Sequence, residues 1–269
     1  MDALSATRAG LGRLGVDLGA NVRFFTRLPW PGGDFSRPDF ARIAWAAPLA
    51  GALVGLCGAA TLVMAHGLRL PLTMSAALVL AVMIASTGAL HEDGLDDVAD
   101  GFGGGATRER KLEILRDSRL GTYGVAALVL SLLLRAAAIA AAARMGDLYA
   151  AAALALSAGL ARFGALAPIA LLPPARLDGA GASAGAGLDS RSLRQAGATA
   201  ILLAAALGLI ALGLWPALFA VVVGFGAAML VVSLARRQIG GQTGDVAGAA
   251  AAATEIGAWT ALLIGYAPA

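Results

Sequence analysis

His91–Gly105 reads HEDGLDDVADGFGGG, and it follows twenty-one residues, Leu70–Leu90 (LPLTMSAALVLAVMIASTGAL), that carry no charged side chain. Five carboxylates (Glu92, Asp93, Asp96, Asp97 and Asp100) then fall within nine positions, and glycines at 101, 103, 104 and 105 close the run. The apolar stretch is long enough to cross a bilayer, since a helix needs about 20 apolar residues to do so. The acids after it therefore mark the point where a buried rod meets water.

Composition supports that reading along the whole chain. Of 269 residues 59% are hydrophobic and only 14% are charged, and the mean hydropathy is +0.78. A soluble domain carries about 25% charged residues, because its surface faces water. The fold class expected is all-α, a polytopic integral membrane helical bundle. Seven stretches qualify as spans, at roughly 43–66, 70–90, 124–143, 148–173, 196–214, 217–235 and 246–267, with six or eight crossings as the alternatives and the split at Trp215–Pro216 the weakest boundary. Residues 1–269 are expected to form one membrane-embedded domain, with 1–42 as a cytoplasmic or interfacial N-terminal segment and 91–123 as the cytoplasmic loop that carries the acids. The first 42 residues lack the uninterrupted apolar core of a signal peptide.

The basic residues sort by side. Six lie in the N-terminal segment, five between Arg108 and Arg119, three at Arg176, Arg191 and Arg194, and two at Arg236 and Arg237. The other face carries Arg69 and Arg144 alone, while Arg135 and Arg162 fall inside spans. Positive residues stay in the cytoplasm, so the N-terminus and the acidic loop are expected there. The net charge of +3 and pI near 9.6 then reflect juxtamembrane arginine, with the bilayer and no nucleic acid as partner. Leu11, Leu14, Leu18, Val22 and Phe25 recur at helical spacing among arginines, the pattern of an amphipathic helix lying in the interface. The lone Cys57 excludes an internal disulfide.

If the second span continues as a helix through Asp100, then Asp93, Asp97 and Asp100 stand at i, i+4 and i+7 on one face. Three carboxylates in a stripe repel one another, more so beside lipid, and such a stripe suits a hard divalent cation. A solvated acidic helix end is the plain alternative; a calcium loop is not, because the D-x-[DN]-x-[DN]-G spacing is absent. Next, TRERKLEILRDSRLGTYG (Thr107–Gly124) begins with an N-cap threonine and returns Arg116, Asp117, Ser118 and Arg119 toward the bilayer. Arginine grips phosphate oxygens with a planar fork. Metal plus arginine around a pyrophosphate is the apparatus of in-line phosphoryl transfer.

These residues resemble the adenosylcobinamide-GDP ribazoletransferases, the cobalamin synthases. His91, Asp93, Gly94, Leu95, Asp97, Asp100 and Gly101 match H-x-D-G-L-x-D-x-x-D-G, and Arg116, Asp117, Ser118, Gly121 and Gly124 match R-D-S-x-x-G-x-x-G. FFTRLPWP (Phe24–Pro31), Arg162, LPPARLDGAG (Leu172–Gly181) and GGQTGDVAGAAAAATE (Gly240–Glu255) extend the likeness in chain order. Asp96 and Val98 depart from the usual alanine and threonine. The resemblance implies that the 5′-hydroxyl of α-ribazole (or its 5′-phosphate) attacks the cobinamide-linked phosphate of adenosylcobinamide-GDP, that GMP leaves, and that Mg2+ is the cofactor. It implies Asp93, Asp97 and Asp100 as metal ligands, and Asp117, Arg116 and His91 as catalytic candidates. Arg27, Arg119, Ser118, Arg162, Arg176 and Asp245 become substrate contacts, with Arg162 and Glu255 expected on the cavity roof and able to pair. A second copy of the chain or other cobalamin-assembly enzymes are further partners to consider. Two rivals are a CDP-alcohol phosphotransferase, whose Ala-Arg pair is missing here, and a cation transporter, whose acids would sit nearer mid-membrane in repeated halves.

Overall fold

The computed structural model describes residues 3–31, 39–117, 119–176 and 187–264, and every element among them is helical. In chain order these are α1 (Ala3–Phe25), α2 (Phe40–Gly67), α3 (Leu72–Thr87), α4 (Leu90–Gly104), α5 (Arg108–Ile114), α6 (Thr122–Arg144), α7 (Asp147–Leu171), α8 (Ser190–Leu212), α9 (Leu214–Gln238) and α10 (Gly244–Leu263). Six of them, α2 and α6 to α10, are long and apolar enough to cross a membrane, and α3 with α4 makes a seventh if that bent pair counts as one span. The boundary near Trp215–Pro216 is real: α8 ends in a π-helical turn, and Gly213, at φ 81°, starts α9.

α7 is the hub. It is the most enclosed of the spans, with α10 next, and α2, α8, α9 and α10 all pack on it. Small residues make this possible, because helices in lipid associate by close packing and not by the hydrophobic effect. A Cβ added at Gly51 would lie 2.2 Å from the Ala158 carbonyl oxygen, and one at Gly55 2.2 Å from that of Leu154. Gly51 and Gly55, four apart, thus form a smooth seam on α2 against the α7 backbone. Gly55→Leu is expected to force the helices apart and to cost at least about 1–3 kcal/mol, read as a lowered unfolding midpoint in detergent.

One expectation is corrected. The second span does not run on through Asp100: α3 stops at Thr87 and α4 leaves at 90° to it. Gly88 (φ 67°) and Ala89 (φ 61°) are both left-handed, and the Ala89 and Gly88 amides donate to the Ile84 and Ala85 carbonyls at 3.0 and 3.3 Å. That is a Schellman-type stop with glycine in the position it favours. The sequence hides it, since a glycine at an apolar–polar border also fits a helix interior.

α1 lies along the start of α2. Asn21 donates to the Ile43 carbonyl at 2.9 Å, and Asp17 accepts from the Trp45 indole at 3.2 Å and pairs with Arg42 at 3.0 Å. Ala20, Val22 and Phe25 are buried, whereas Leu14, Val16 and Phe24 stay exposed, so the helix is apolar on two sides. At the far end of the bundle His66 and Asp147 join α2 to α7 at 2.6 Å.

Candidate active site

α4 crosses the end of the bundle and meets α10 at a pair of glycines. A Cβ on Gly94 would sit 2.6 Å from the Asp245 carbonyl oxygen and 2.9 Å from the Gly248 Cα; one on Gly248 would sit 3.1 Å from the Gly94 Cα. Only glycine permits so close a crossing. It sets Asp93 and Asp97 of α4 against Asp245 in the first turn of α10, where Asp97 is under the field of Asp245, Asp93 and Asp96, with Arg176 as the opposing charge. Arg176 reaches the Asp245 carboxylate at 3.5 Å, and Thr243, the N-cap of α10, donates to it at 3.1 Å.

The expected stripe divides at this point. Asp93 is exposed and Asp97 half-buried, on the side of α10, while Asp100 is buried and turned to α6. Its two oxygens accept from the Gly121 and Gly124 amides at 2.6 and 2.9 Å, so Asp100 satisfies free N–H groups at a helix start, where negative charge is favoured. Asp96 lies on that side too, buried, with Oδ1 lacking a partner among the described residues. A Cβ at Gly124 would fall on that oxygen and within 2.5 Å of Asp100 Oδ2, which explains why glycine stands at the second position of G-x-x-G. Among the described residues no three His, Cys, Asp or Glu side chains are arranged to hold a metal ion. The donor chemistry nonetheless fits one: Asp93, Asp97 and Asp245 offer hard oxygens, and a single arginine opposes their charge.

The loops that carry Arg176 and Asp245 are tied together. The Ala175 amide donates to the Gln242 carbonyl at 2.9 Å, and the Gln242 amide to the Pro173 carbonyl at 2.8 Å. Arg108, at the start of α5, then donates to the Ile239 and Ala175 carbonyls, both at 2.9 Å. One guanidinium thus holds both loops. Charge-assisted bonds of this kind contribute about 1.5–3 kcal/mol each. Arg108→Ala is expected to speed amide hydrogen exchange at 173–176 and 239–243 and to leave α2 and α7 protected.

The remaining expected residues are spread around this centre. Asp117 and Arg119 pair with each other on the exposed surface; hydrogen bonds from the Arg119 side chain, and next its amide, hold the Asp117 carboxyl below its ordinary value. A carboxylate so stabilised is a weak base. Thr107 caps α5, as expected, accepting from the Arg110 amide at 3.2 Å. Arg116 is exposed, and Ser118 lies outside the described residues. Arg27 is exposed and its guanidinium covers Gly88, so it sits on the α3–α4 corner.

His91 is buried and lines a cavity of about 150 Å3 beside Asp93 and Asp245. Arg162 is fully buried and donates to its own helix at Ala158 O, 3.1 Å. Glu255 does not pair with it by contact. Arg135 takes that place, reaching Glu255 at 3.1 Å and Glu92 at 2.7 Å, so α6, α10 and α4 are joined by one buried cation. Arg135 and Glu92 were not expected in the site, and the only hint in the sequence is that an arginine inside a span must find a partner.

The comparisons with known proteins agree with this arrangement of motifs. Residues 17–263 match the family described as cobalamin-5-phosphate synthase. An adenosylcobinamide-GDP ribazoletransferase of Azorhizobium caulinodans is 46% identical over 256 residues, covering 94% of this chain and 97% of its own. Proteins of the same name from Xanthobacter autotrophicus (44%, 89% of this chain and 92% of its own) and Bradyrhizobium diazoefficiens (48%, 87% and 88%) are similar too. No solved structure matches. On the strength of near-full-length matches to both, the chain belongs to the cobalamin-5-phosphate synthase family.

Proposed function

We infer that this chain is an adenosylcobinamide-GDP ribazoletransferase of late cobalamin biosynthesis, joining the 5′-hydroxyl of α-ribazole, or of its 5′-phosphate, to the cobinamide-linked phosphate and releasing GMP. The observation that carries the reading is the end-to-end similarity to relatives of that name. The bundle supplies what such a reaction needs: carboxylates and arginines together at one end, in a membrane-embedded fold.

Magnesium is proposed as the cofactor, held by Asp93 and Asp97 with Asp245 completing the set, while Asp100, bound to the Gly121 and Gly124 amides, anchors α4 to α6. When bound it would neutralise pyrophosphate charge and polarise the phosphorus centre. The chain's own part is positioning. Arg176 offers a fork to phosphate oxygens next to the acids, and Arg116, Arg119 and Arg27 stand on the exposed rim as further anion contacts. Asp117 orients the acceptor hydroxyl more readily than it removes its proton, given its lowered pKa. The site end is assigned to the cytoplasm of a bacterial inner membrane, where the arginine excess belongs.

Purified protein in liposomes should release GMP, with one cobalamin product per GMP, only when both substrates and Mg2+ are present. EDTA should stop the reaction and added Mg2+ restore it. Turnover undiminished in EDTA would reject the metal, and no turnover under any of these conditions would reject the reaction.

A further inference from the structure

The cavity beside the acids has a composition that selects one of the two substrates. Its inner wall is apolar, formed by Phe25, Leu90, Ala165, Ile169 and Ala247, and Asp93 and Asp245 also line it. His91 is the exception in that wall. It is 5% exposed, and its Nε2 has no hydrogen-bond partner among the described residues. Leaving a buried nitrogen unpaired is costly, so a ligand or water must supply the missing bond. The Phe25 ring stands edge-on to the imidazole, 6.5 Å between centroids.

Size and polarity narrow the occupant. A cavity of about 150 Å3 with a largely apolar lining suits a small aromatic group, and a corrin macrocycle is several times too large. Guanosine diphosphate fits poorly, because the apolar wall cannot pair either the exocyclic amine or the ring N–H of guanine. A benzimidazole nucleoside differs in both respects. Its base is neutral and bicyclic, has no N–H, and offers one free ring nitrogen, an acceptor.

We propose that this cavity is the acceptor subsite, in which the benzimidazole ring of the nucleoside enters between Phe25 and Ala165 and its free nitrogen accepts a hydrogen bond from His91 Nε2. The tautomer with the proton on Nε2 is the one this requires. The ribose then lies toward Asp93 and Asp245, at the side of the cavity that carries the acids. A base with an exocyclic donor is disfavoured, since its amine goes unpaired against the apolar wall. An apolar wall rejects an added polar group by about 10- to 100-fold. The inference rests on the ribazoletransferase reading and adds to it which substrate binds where.

Initial rates of GMP release by the full-length protein in nanodiscs test it, with KM measured for each substrate separately. Ala165→Leu, which fills the cavity, should raise KM for α-ribazole at least about 10-fold and leave KM for adenosylcobinamide-GDP within about 2-fold. An equal rise for both substrates, or none, would overturn the assignment. The wild-type protein offers a test that needs no variant: the benzimidazole riboside should have a KM at least about 10-fold below that of the adenine α-riboside, and equal values would overturn it. GMP release with unaltered substrates and an unmoved ribazole KM would remove only the subsite. Absence of GMP from the wild-type protein would remove the reaction itself.

Discussion

Asp97→Asn lowers kcat by about 10³-fold and leaves the unfolding temperature unchanged or slightly raised. The two effects have opposite signs for one reason. Asp97 is half-buried on α4 under the field of three other carboxylates, Asp245, Asp93 and Asp96, with Arg176 alone opposing them. Removing its charge relieves repulsion in the folded protein, so stability does not suffer. The same change removes a hard oxygen from the place where pyrophosphate charge must be neutralised, an effect of several kcal/mol, and each 1.36 kcal/mol is tenfold in rate. GMP release and a thermal melt, each measured with and without Mg2+, separate the two quantities. Wild-type turnover would mean that Asp97 is merely a solvated charge.

Arg135→Met has the larger effect on the fold. Arg135 is 4% exposed and bonds Glu92 and Glu255, both within the bundle. With the arginine gone, two carboxylates are left in a low-dielectric interior without a bonded cation among the described residues, Arg162 acting on them through space alone. Breaking a buried pair from one side costs about 3–5 kcal/mol, and the bilayer supplies no water to soften it. The variant should be recovered in low yield and melt well below the parent. The triple variant Arg135→Met, Glu92→Gln, Glu255→Gln should regain most of that loss, because replacing a whole buried ionic group with neutral side chains is close to neutral in stability. A triple variant no more stable than the single one would show that side-chain shape, and not charge balance, holds α4 against α6 and α10.

Much of this was legible in the sequence, and the parts that were not share a physical cause. The spans follow from apolar length, which is local, and so does the Thr107 cap. The grouping of Asp93 and Asp97 on one face follows from helical spacing. The fate of Asp100 does not, because the amides it binds belong to Gly121 and Gly124, and nothing in the local pattern says that α6 begins beneath it. Arg135 presents the same difficulty: a charge inside a span announces that a partner exists without naming it, and the partners come from α4 and α10. The Gly94–Gly248 crossing lies beyond a single sequence as well, since a glycine records that something comes close but not what.

The right angle between α3 and α4 has a consequence for depth. Sixteen residues of α3 rise about 24 Å at 1.5 Å each, and a hydrocarbon layer is about 30 Å thick. A mast that short places its crossbeam near the rim of that layer, where the tails give way to the glycerol backbones. The donor's phosphates must therefore sink to meet the aspartates. Lipids with longer acyl chains would submerge the reaction centre further, and turnover should fall as the membrane is thickened.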